Sequence, residues 1–265
     1  RDSALLARFG NHDPMVCCHI FRAQALALLG RTEQATQHIN NSIEFARKLA
    51  HPFSQALTLV FASRLGQLLH DWAVTRNHAA AAIKIAREQE FRLVLAWASA
   101  LEGWAEAHEG QSQQGIQKIV GSIGSVRAIS CVVFQPHLLA LLAEARLRAG
   151  QFLEARSALD EALNLAVQSG ERFYEAELLR LKGELHFASG QETCQAERAF
   201  LDSLELSRTH NARLFTLRTA ASLGRFWLRE GKRQQARELV LGAIAEAQCL
   251  AHTSDYAALA GLLSE

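Results

Sequence analysis

The densest cluster of side chains able to ligate a metal is His12, Cys17, Cys18 and His19. Tetrahedral zinc needs ligands that converge, commonly a Cys pair two to four residues apart joined to a second pair. Adjacent residues on a helix point about 100° apart, so Cys17 and Cys18 do not face one ion. The five cysteines are instead expected as buried free thiols acting as small hydrophobes. His38, His78, His108, His186, His210 and His252 follow no His-Glu-x-x-His or comparable spacing. They are expected to be solvated, or to cap helix ends. Ser, His and Asp all occur, but no Gly-x-Ser-x-Gly elbow is present. Gly231-Lys232-Arg233 lacks both the preceding glycine and the Ser or Thr of a phosphate-binding loop. No catalytic residue, metal or cofactor is therefore expected, and the chemistry left to the chain is recognition.

Composition narrows the partner. The 265 residues carry 28 Lys plus Arg against 27 Asp plus Glu, a net charge of +1. With no clustered basic stripe, this argues against nucleic acid. The longest apolar stretches, such as residues 91–101, are broken by Arg92 and flanked by Glu90 and Glu102. No membrane span is expected. An odd number of cysteines spread along the chain fits a reducing compartment, hence the cytoplasm. The N-terminus shows no signal pattern, and Arg1 in place of Met is expected to be the edge of an excised piece. Hydrophobic residues make up 49% of the chain, enough for a sizeable core, and there are only 3 prolines. So few helix breakers predict long helices and an all-α fold.

The elements that must position any binding residue recur at a fixed interval. Terminator glycines stand at 30, 110, 150, 190 and 231, a spacing of 40 with one register vacant at His70. Seven residues before each mark comes a small residue: Ala23, Ser63, Gly103, Ala143, Gly183 and Gly224. Five after it comes another: Ala35, Thr75, Gly115, Ala155, Ala196 and Ala236, with one inserted residue in the fifth unit. Small residues on two antiparallel helices let the axes approach to about 8–10 Å, and the glycine supplies the positive φ that ends the first helix. The pattern predicts an α-solenoid of about six antiparallel helical hairpins, at 14–49, 52–89, 91–128, 136–168, 172–209 and 213–250, within a single domain 1–265. Pro14, Pro52 and Pro136 fall near the starts of first helices, where a missing N–H costs nothing, and Asp13 is a predicted N-cap. Ala4, Leu5, Leu6 and Phe9 are expected as the tail of a preceding helix. Residues 255–264, with Tyr256, Leu259, Leu262 and Leu263, are expected as a capping helix.

Unit six carries Leu223, Gly224, Trp227, Gly231 and Ala236. This spacing resembles the tetratricopeptide repeat, although the period of 40 exceeds its usual 34. Longer segments carry a second resemblance: "HDPMVCC" at 12–18, "HPFSQAL" at 51–57, "LAWASALEGWAEAHEGQ" at 95–111, "LLALLAEARLRAGQ" at 138–151, "GERFYEAELLRLKGEL" at 170–185 and "LRTAASLGRFWLREGKRQQARELV" at 217–240. With the tail from Asp255, they resemble the C-terminal helical region of bacterial STAND-type signalling ATPases, which are often fused to class III adenylate or guanylate cyclase domains. The resemblance covers nearly the whole chain. It is weakest over 111–134, where "VGSIGSVRAISCVV" lacks the usual charged second helix. It implies a regulatory arm whose catalytic modules lie upstream.

Under tetratricopeptide geometry the first helix of each hairpin lines a concave groove. Six residues before each turn stand Gln24, Arg64, Trp104, Glu144, Glu184 and Arg225; one and two helical turns earlier stand Trp97, Ala100, His137, Glu177, Arg180 and Arg218. The groove so defined has an aromatic middle and an Arg-bearing end, and Trp and Arg are enriched at binding hot spots. Trp97 and Trp104 are also spaced as a core stripe. Glu144, Glu177 and Glu184 are equally readable as interhelical partners of Arg146, Arg180 and Lys182, worth little if exposed. The sequence thus leads to a non-catalytic protein-interaction or sensor domain. Its partner is a protein or peptide in the groove, the parent's own ATPase module among the candidates, and it regulates an upstream ATPase or nucleotide cyclase by population shift. The alternatives are a constitutive protein-binding scaffold and a small-ligand pocket near Trp97, Trp104 and His137.

Overall fold

The computed structural model describes residues 13–190 and 193–264. Residues 1–9, expected as a helix tail, and His12 lie outside the described residues. Among the described residues there are thirteen α-helices and no strand. They divide into two compact units, 13–27 with 32–131 and 28–31 with 132–264. The first unit holds α1 (Pro14–Leu28, all but its last residue), α2 (Thr32–Leu49), α3 (Pro52–Leu68), α4 (Trp72–Glu88), α5 (Arg92–His108) and α6 (Ser112–Ala128). The second holds α7 (Gln135–Arg148), α8 (Phe152–Ser169), α9 (Glu175–Ser189), α10 (Thr193–Thr209), α11 (Arg213–Arg229), α12 (Arg233–Glu246) and α13 (Ser254–Gly261). Odd-numbered helices up to α11 are the first members of hairpins and even-numbered ones the second. Both units are stacks of such hairpins, the all-α helical-repeat class of tetratricopeptide-like solenoids.

The turns keep time at 20 residues rather than 40. Left-handed backbone occurs at Gly30, Ala50, His70, Glu90, Gly110, Ser130, Gly150, Gly170, Gly190, Asn211 and Gly231. His70, the vacant register, takes φ +53° without being glycine. In seven of these turns the next residue donates its N–H to the carbonyl five positions before the left-handed residue's successor. Examples are Asp71 to Gly66 at 2.9 Å, Phe91 to Ala86 at 2.9 Å and Lys232 to Trp227 at 2.8 Å. This Schellman closure satisfies carbonyls that the helix end leaves open. The inserted residue of the fifth unit lengthens the interval between turns from 20 residues, Gly170 to Gly190, to 21, Gly190 to Asn211.

Both small-residue series are buried where the helices of a hairpin meet. A Cβ on Gly115 would lie 2.2 Å from the Gly103 carbonyl oxygen, and one on Gly183 would lie 2.5 Å from the Phe200 ring. Ser63 tolerates the same closeness by donating its hydroxyl to the Thr75 carbonyl at 2.8 Å. Around Gly183 and Gly224 the side chains of Ala196, Phe200, Leu204, Leu223 and Phe226 form a core cluster. Pro14 and Pro52 begin their helices, Pro136 sits in the first turn of α7, and Asp13 caps α1 by accepting the Met15 N–H at 2.8 Å. The last helix is shorter than expected. α13 is capped by Thr253 and gives way at Leu262 to a 3₁₀ turn, with Leu259 and Leu262 buried.

Candidate interaction face

In the second unit the expected groove residues come together as one charged seam. Glu177, Arg180 and Glu184 are spaced i, i+3, i+7 on α9, and Arg218, Ser222 and Arg225 are spaced i, i+4, i+7 on α11, so each set occupies one helical stripe. Arg180 grips Glu177 with two bonds, Nε to Oε2 at 3.0 Å and Nη2 to Oε1 at 2.7 Å. Its remaining nitrogen donates to Glu184 Oε1 and to Ser222 Oγ, both at 3.2 Å. Glu184 Oε1 also accepts from the Ser222 hydroxyl at 2.5 Å and from Arg225 at 2.7 Å. Arg218 donates to Asp255 of α13 at 2.8 Å and lies 4.0 Å from Glu177. The seam therefore joins α9, α11 and α13.

Depth grades along the seam. The Glu177 side chain is 1% exposed and Arg218 3%, while Glu184 is 23% and Arg225 53% exposed. Burial alone would push the Arg180 guanidinium down, but Glu177, its hydrogen bonds, Glu184 and Glu144 reverse this and hold it above the ordinary arginine value. Arg218 behaves alike: burial opposes its charge, and Asp255 and Glu177 more than restore it. Both stay cationic at any physiological pH. Glu144, on α7, is half-buried. His137 is 2% exposed and packs edge-on against Tyr174 at 4.8 Å, in a ring cluster that continues to Phe215.

The first unit places its expected groove residues mostly in the core. Gln24 is buried, its amide donating to the Phe61 carbonyl at 3.1 Å, and Arg64 lies over the Phe61 ring at 5.8 Å. Trp97 is 9% exposed and Trp104 0%. Trp104 packs against His108 at 4.1 Å and stacks on His70 at 6.2 Å, while Trp72 stacks on His108 at 6.0 Å. The aromatic middle thus joins the hairpin interior, following the seven-residue core spacing.

Two expectations need correction. Cys18, Cys194 and Cys249 are exposed and Cys17 and Cys131 half-buried, so the free thiols are not core groups. On α1 the core stripe is Val16, Ile20, Ala23 and Ala27, which turns Cys18 outward. His186 is buried at 2% rather than solvated. Of the two readings open for the acidic residues, a solvated face does not hold for Glu177, which is 1% exposed and pairs with Arg180 on its own helix, and Arg146 bonds the Glu154 carbonyl oxygen at 3.0 Å. Among the described residues no group of three or more His, Cys, Asp or Glu is placed to hold a metal, and no helix is long and apolar enough to cross a membrane. Sequence reasoning missed Ser222 and Asp255 as members of the seam. Ser222 was findable, since it completes the Arg218–Arg225 stripe.

Hairpins of this form define the tetratricopeptide-like helical-repeat fold, and the comparisons agree on that class. No family model matches the chain. It is 24% identical over 215 residues to Uncharacterized protein R02095 of Rhizobium meliloti (strain 1021), a match taking in 81% of this chain and 21% of the relative. The chain thus spans about a fifth of the curated relative it matches. Among solved structures it is similar to NprR in complex with its cognate peptide NprX (TM-score 0.68, 18% identity, 94% of this chain and 71% of that one). It is also similar to a Rap protein complexed with Competence and Sporulation Factor (TM-score 0.65, 14% identity, 89% and 77%). At such identities the likeness establishes the fold.

Proposed function

We propose that the chain is a non-catalytic protein-interaction and sensor domain. It holds a protein or peptide along the first helices of its hairpins and regulates an upstream ATPase or nucleotide cyclase module in bacterial signal transduction, in the cytoplasm. The observation that carries this is the seam of the second unit, where hydrogen-bonded buried charges hold Glu184 and Arg225 at its partly exposed end. A preorganised charged pair loses little side-chain freedom on binding and selects partners by charge complementarity. The neighbours NprR, solved with its cognate peptide NprX, and Rap, solved with Competence and Sporulation Factor, support a partner of this kind. The family resemblance of segments 95–111, 170–185 and 217–240 supports the ATPase or cyclase context, as does a relative most of which lies outside the match. Both units then work as a single helical-repeat domain. A partner that favours one docking pose by a few kcal/mol is enough to switch the module.

The test uses the full-length parent, with ATP hydrolysis and cyclic nucleotide formation measured for the natural sequence and for Arg225→Glu and Glu184→Lys. Arg225 is more than half exposed, so Arg225→Glu leaves the buried half of the seam in place, and circular dichroism checks the folding of Glu184→Lys. A change in basal rate or in effector response of about fivefold or more is expected, equivalent to the ~1 kcal/mol that a switch of this kind transmits. Rates and responses indistinguishable from the natural protein in both variants would sink the proposal. A single urea transition is expected for the 265-residue chain; two separate transitions would argue for independent domains.

A further inference from the structure

The second helix of the third hairpin, α6, departs from the side-chain pattern of its counterparts. In the second helices of the first five hairpins one register holds Phe45, Ile85, Ser125, Leu165 and, after the insertion, Leu206, while in the sixth it holds the exposed Glu246. The four large apolar side chains are half-buried, whereas Ser125 is exposed. Four residues earlier on α6 is Gly121, where an added Cβ would meet nothing within 4 Å. The missing volume leaves a cleft of about 500 Å³ over α5, between the end of α4 and α6. Its floor includes Leu95 and Ala96, and Ile129, 41% exposed, stands at one end.

The polar lining of this cleft is of one sign. Arg87, Arg92 and Lys118 reach it and, among the described residues, no carboxylate does. Lys118 is already bonded to Glu102 and Glu106, which leaves Arg87 and Arg92 as its uncommitted cations. A neighbouring depression shares Arg87 and Lys118 but adds Glu88 and Glu102, so the positive character is confined to the Arg92 end. From Lys118 to Ile129 the cleft follows α6 for about 17 Å, the length of about five residues of extended chain.

We propose that this cleft is a second recognition site, independent of the charged seam. It takes a short acidic peptide segment of a partner protein, whose large apolar side chain fills the space above Ser125 while carboxylates engage Arg87 and Arg92. The apolar group replaces the side chain that four of the other repeats supply for themselves, and the open, elongated form favours a chain over a compact ligand.

The probe is a fluorescein-labelled hexapeptide of alternating glutamate and leucine, titrated with the 265-residue chain by fluorescence anisotropy. Saturable one-to-one binding is expected, weakened about tenfold or more when glutamine replaces glutamate. Ser125→Leu, which restores the repeat's own filler, and the double variant Arg87→Glu/Arg92→Glu each weaken it about tenfold or more. Arg225→Glu leaves it unchanged, which separates failure here from failure of the charged seam. Circular dichroism confirms that the variants fold, and the two act on different groups, so misfolding of one leaves the other decisive. Absence of saturable binding overturns the proposal, as does binding that survives both variants. Displacement by N-acetylleucine at the same concentration as by unlabelled peptide would assign the cleft to a small carboxylate and overturn the peptide assignment.

Discussion

The close approach of α5 and α6 makes a quantitative prediction that one pair of substitutions isolates. Gly115 and Gly121 lie on the same helix, so replacing either with alanine gains the same intrinsic helix propensity, about 1 kcal/mol. At Gly121 the new methyl group meets open space. At Gly115 it would sit 2.2 Å from the Gly103 carbonyl oxygen and 2.9 Å from the Ala107 nitrogen, both backbone atoms. Neither can rotate away, so the helices must part by about 1 Å, roughly the shortfall from ordinary contact. Overpacking of this kind costs typically 1–3 kcal/mol. Hairpins five and six already pair a glycine with an alanine, at 183 with 196 and 224 with 236, so a relaxed geometry exists and about 3 kcal/mol is a fair ceiling. Gly121→Ala should then stabilise by about 1 kcal/mol and Gly115→Ala destabilise by up to about 2 kcal/mol, a difference of ~1–3 kcal/mol. Urea unfolding followed at 222 nm measures both, provided the slopes agree. If Gly115→Ala proves as stable as Gly121→Ala, helix contact does not limit residue size at 115, and the steric account of both small-residue series fails.

Three further outcomes test other parts of the structure. Glu90 is exposed at φ +57°, so Glu90→Gly should relieve left-handed strain and raise the melting temperature, by roughly 0.5–1 kcal/mol net of added chain entropy; a lower melting temperature in calorimetry would contradict this. Glu177→Leu leaves the buried Arg180 without its bidentate partner and should cost about 3–5 kcal/mol, while Glu177→Leu with Arg180→Met should recover most of it; a double variant as unstable as the single would remove pairing as the cause. The Glu197 carboxylate, bonded by Lys232 at 2.7 Å and by the Trp227 ring N–H at 2.6 Å, is pulled below its ordinary value of 4.5, chiefly by the Lys232 bond and against burial. A carboxylate depressed on folding contributes stability above its unfolded value and loses it as pH falls through the folded one. The natural protein's advantage over Glu197→Gln in urea midpoint should therefore be full at neutral pH and shrink below about pH 4.5; an advantage constant down to pH 3 would refute the assignment.

Some of this architecture was legible because sterics write it directly into residue type. Gly103 and Gly115 must be small for α5 and α6 to touch, and Gly30, Gly110, Gly150, Gly190 and Gly231 mark turns that glycine enters most cheaply. The intervening beats at Ala50, Glu90, Ser130 and Asn211 were not legible. Those residues take the same left-handed conformation at some local cost, set against the Schellman bonds and the packing of two helices. The charged seam was half legible. Helical periodicity shows that Glu177, Arg180 and Glu184 share a face, but not how deeply the next hairpin covers it. Trp97 and Trp104 fail for the same reason: a groove stripe and a core stripe have one spacing, and only the neighbouring hairpin decides between them. Asp255 is a long-range partner of Arg218, which no local pattern announces.

A repeat array has a problem that a unique core does not. Its small residues recur at identical spacing, so apolar contacts between successive hairpins discriminate weakly among neighbours. Buried ion pairs are a poor source of net stability, since apolar residues of similar volume often serve as well or better. What they supply is direction. Arg180 finds Glu177, Glu184 and Ser222 together only when α9 and α11 are in one register, and Arg218 meets Asp255 only when α13 caps α11 in its place. The positions Gln24, Arg64, Trp104, Glu144, Glu184 and Arg225 accordingly vary from repeat to repeat, whereas the neighbouring small-residue positions stay small. Residues that make each hairpin distinguishable from the next also make one stretch of surface distinguishable to a partner. In the second unit the same side chains serve both ends: the buried half of the seam fixes register, and its exposed half, Glu184 with Arg225, is held ready for recognition at little further entropic cost.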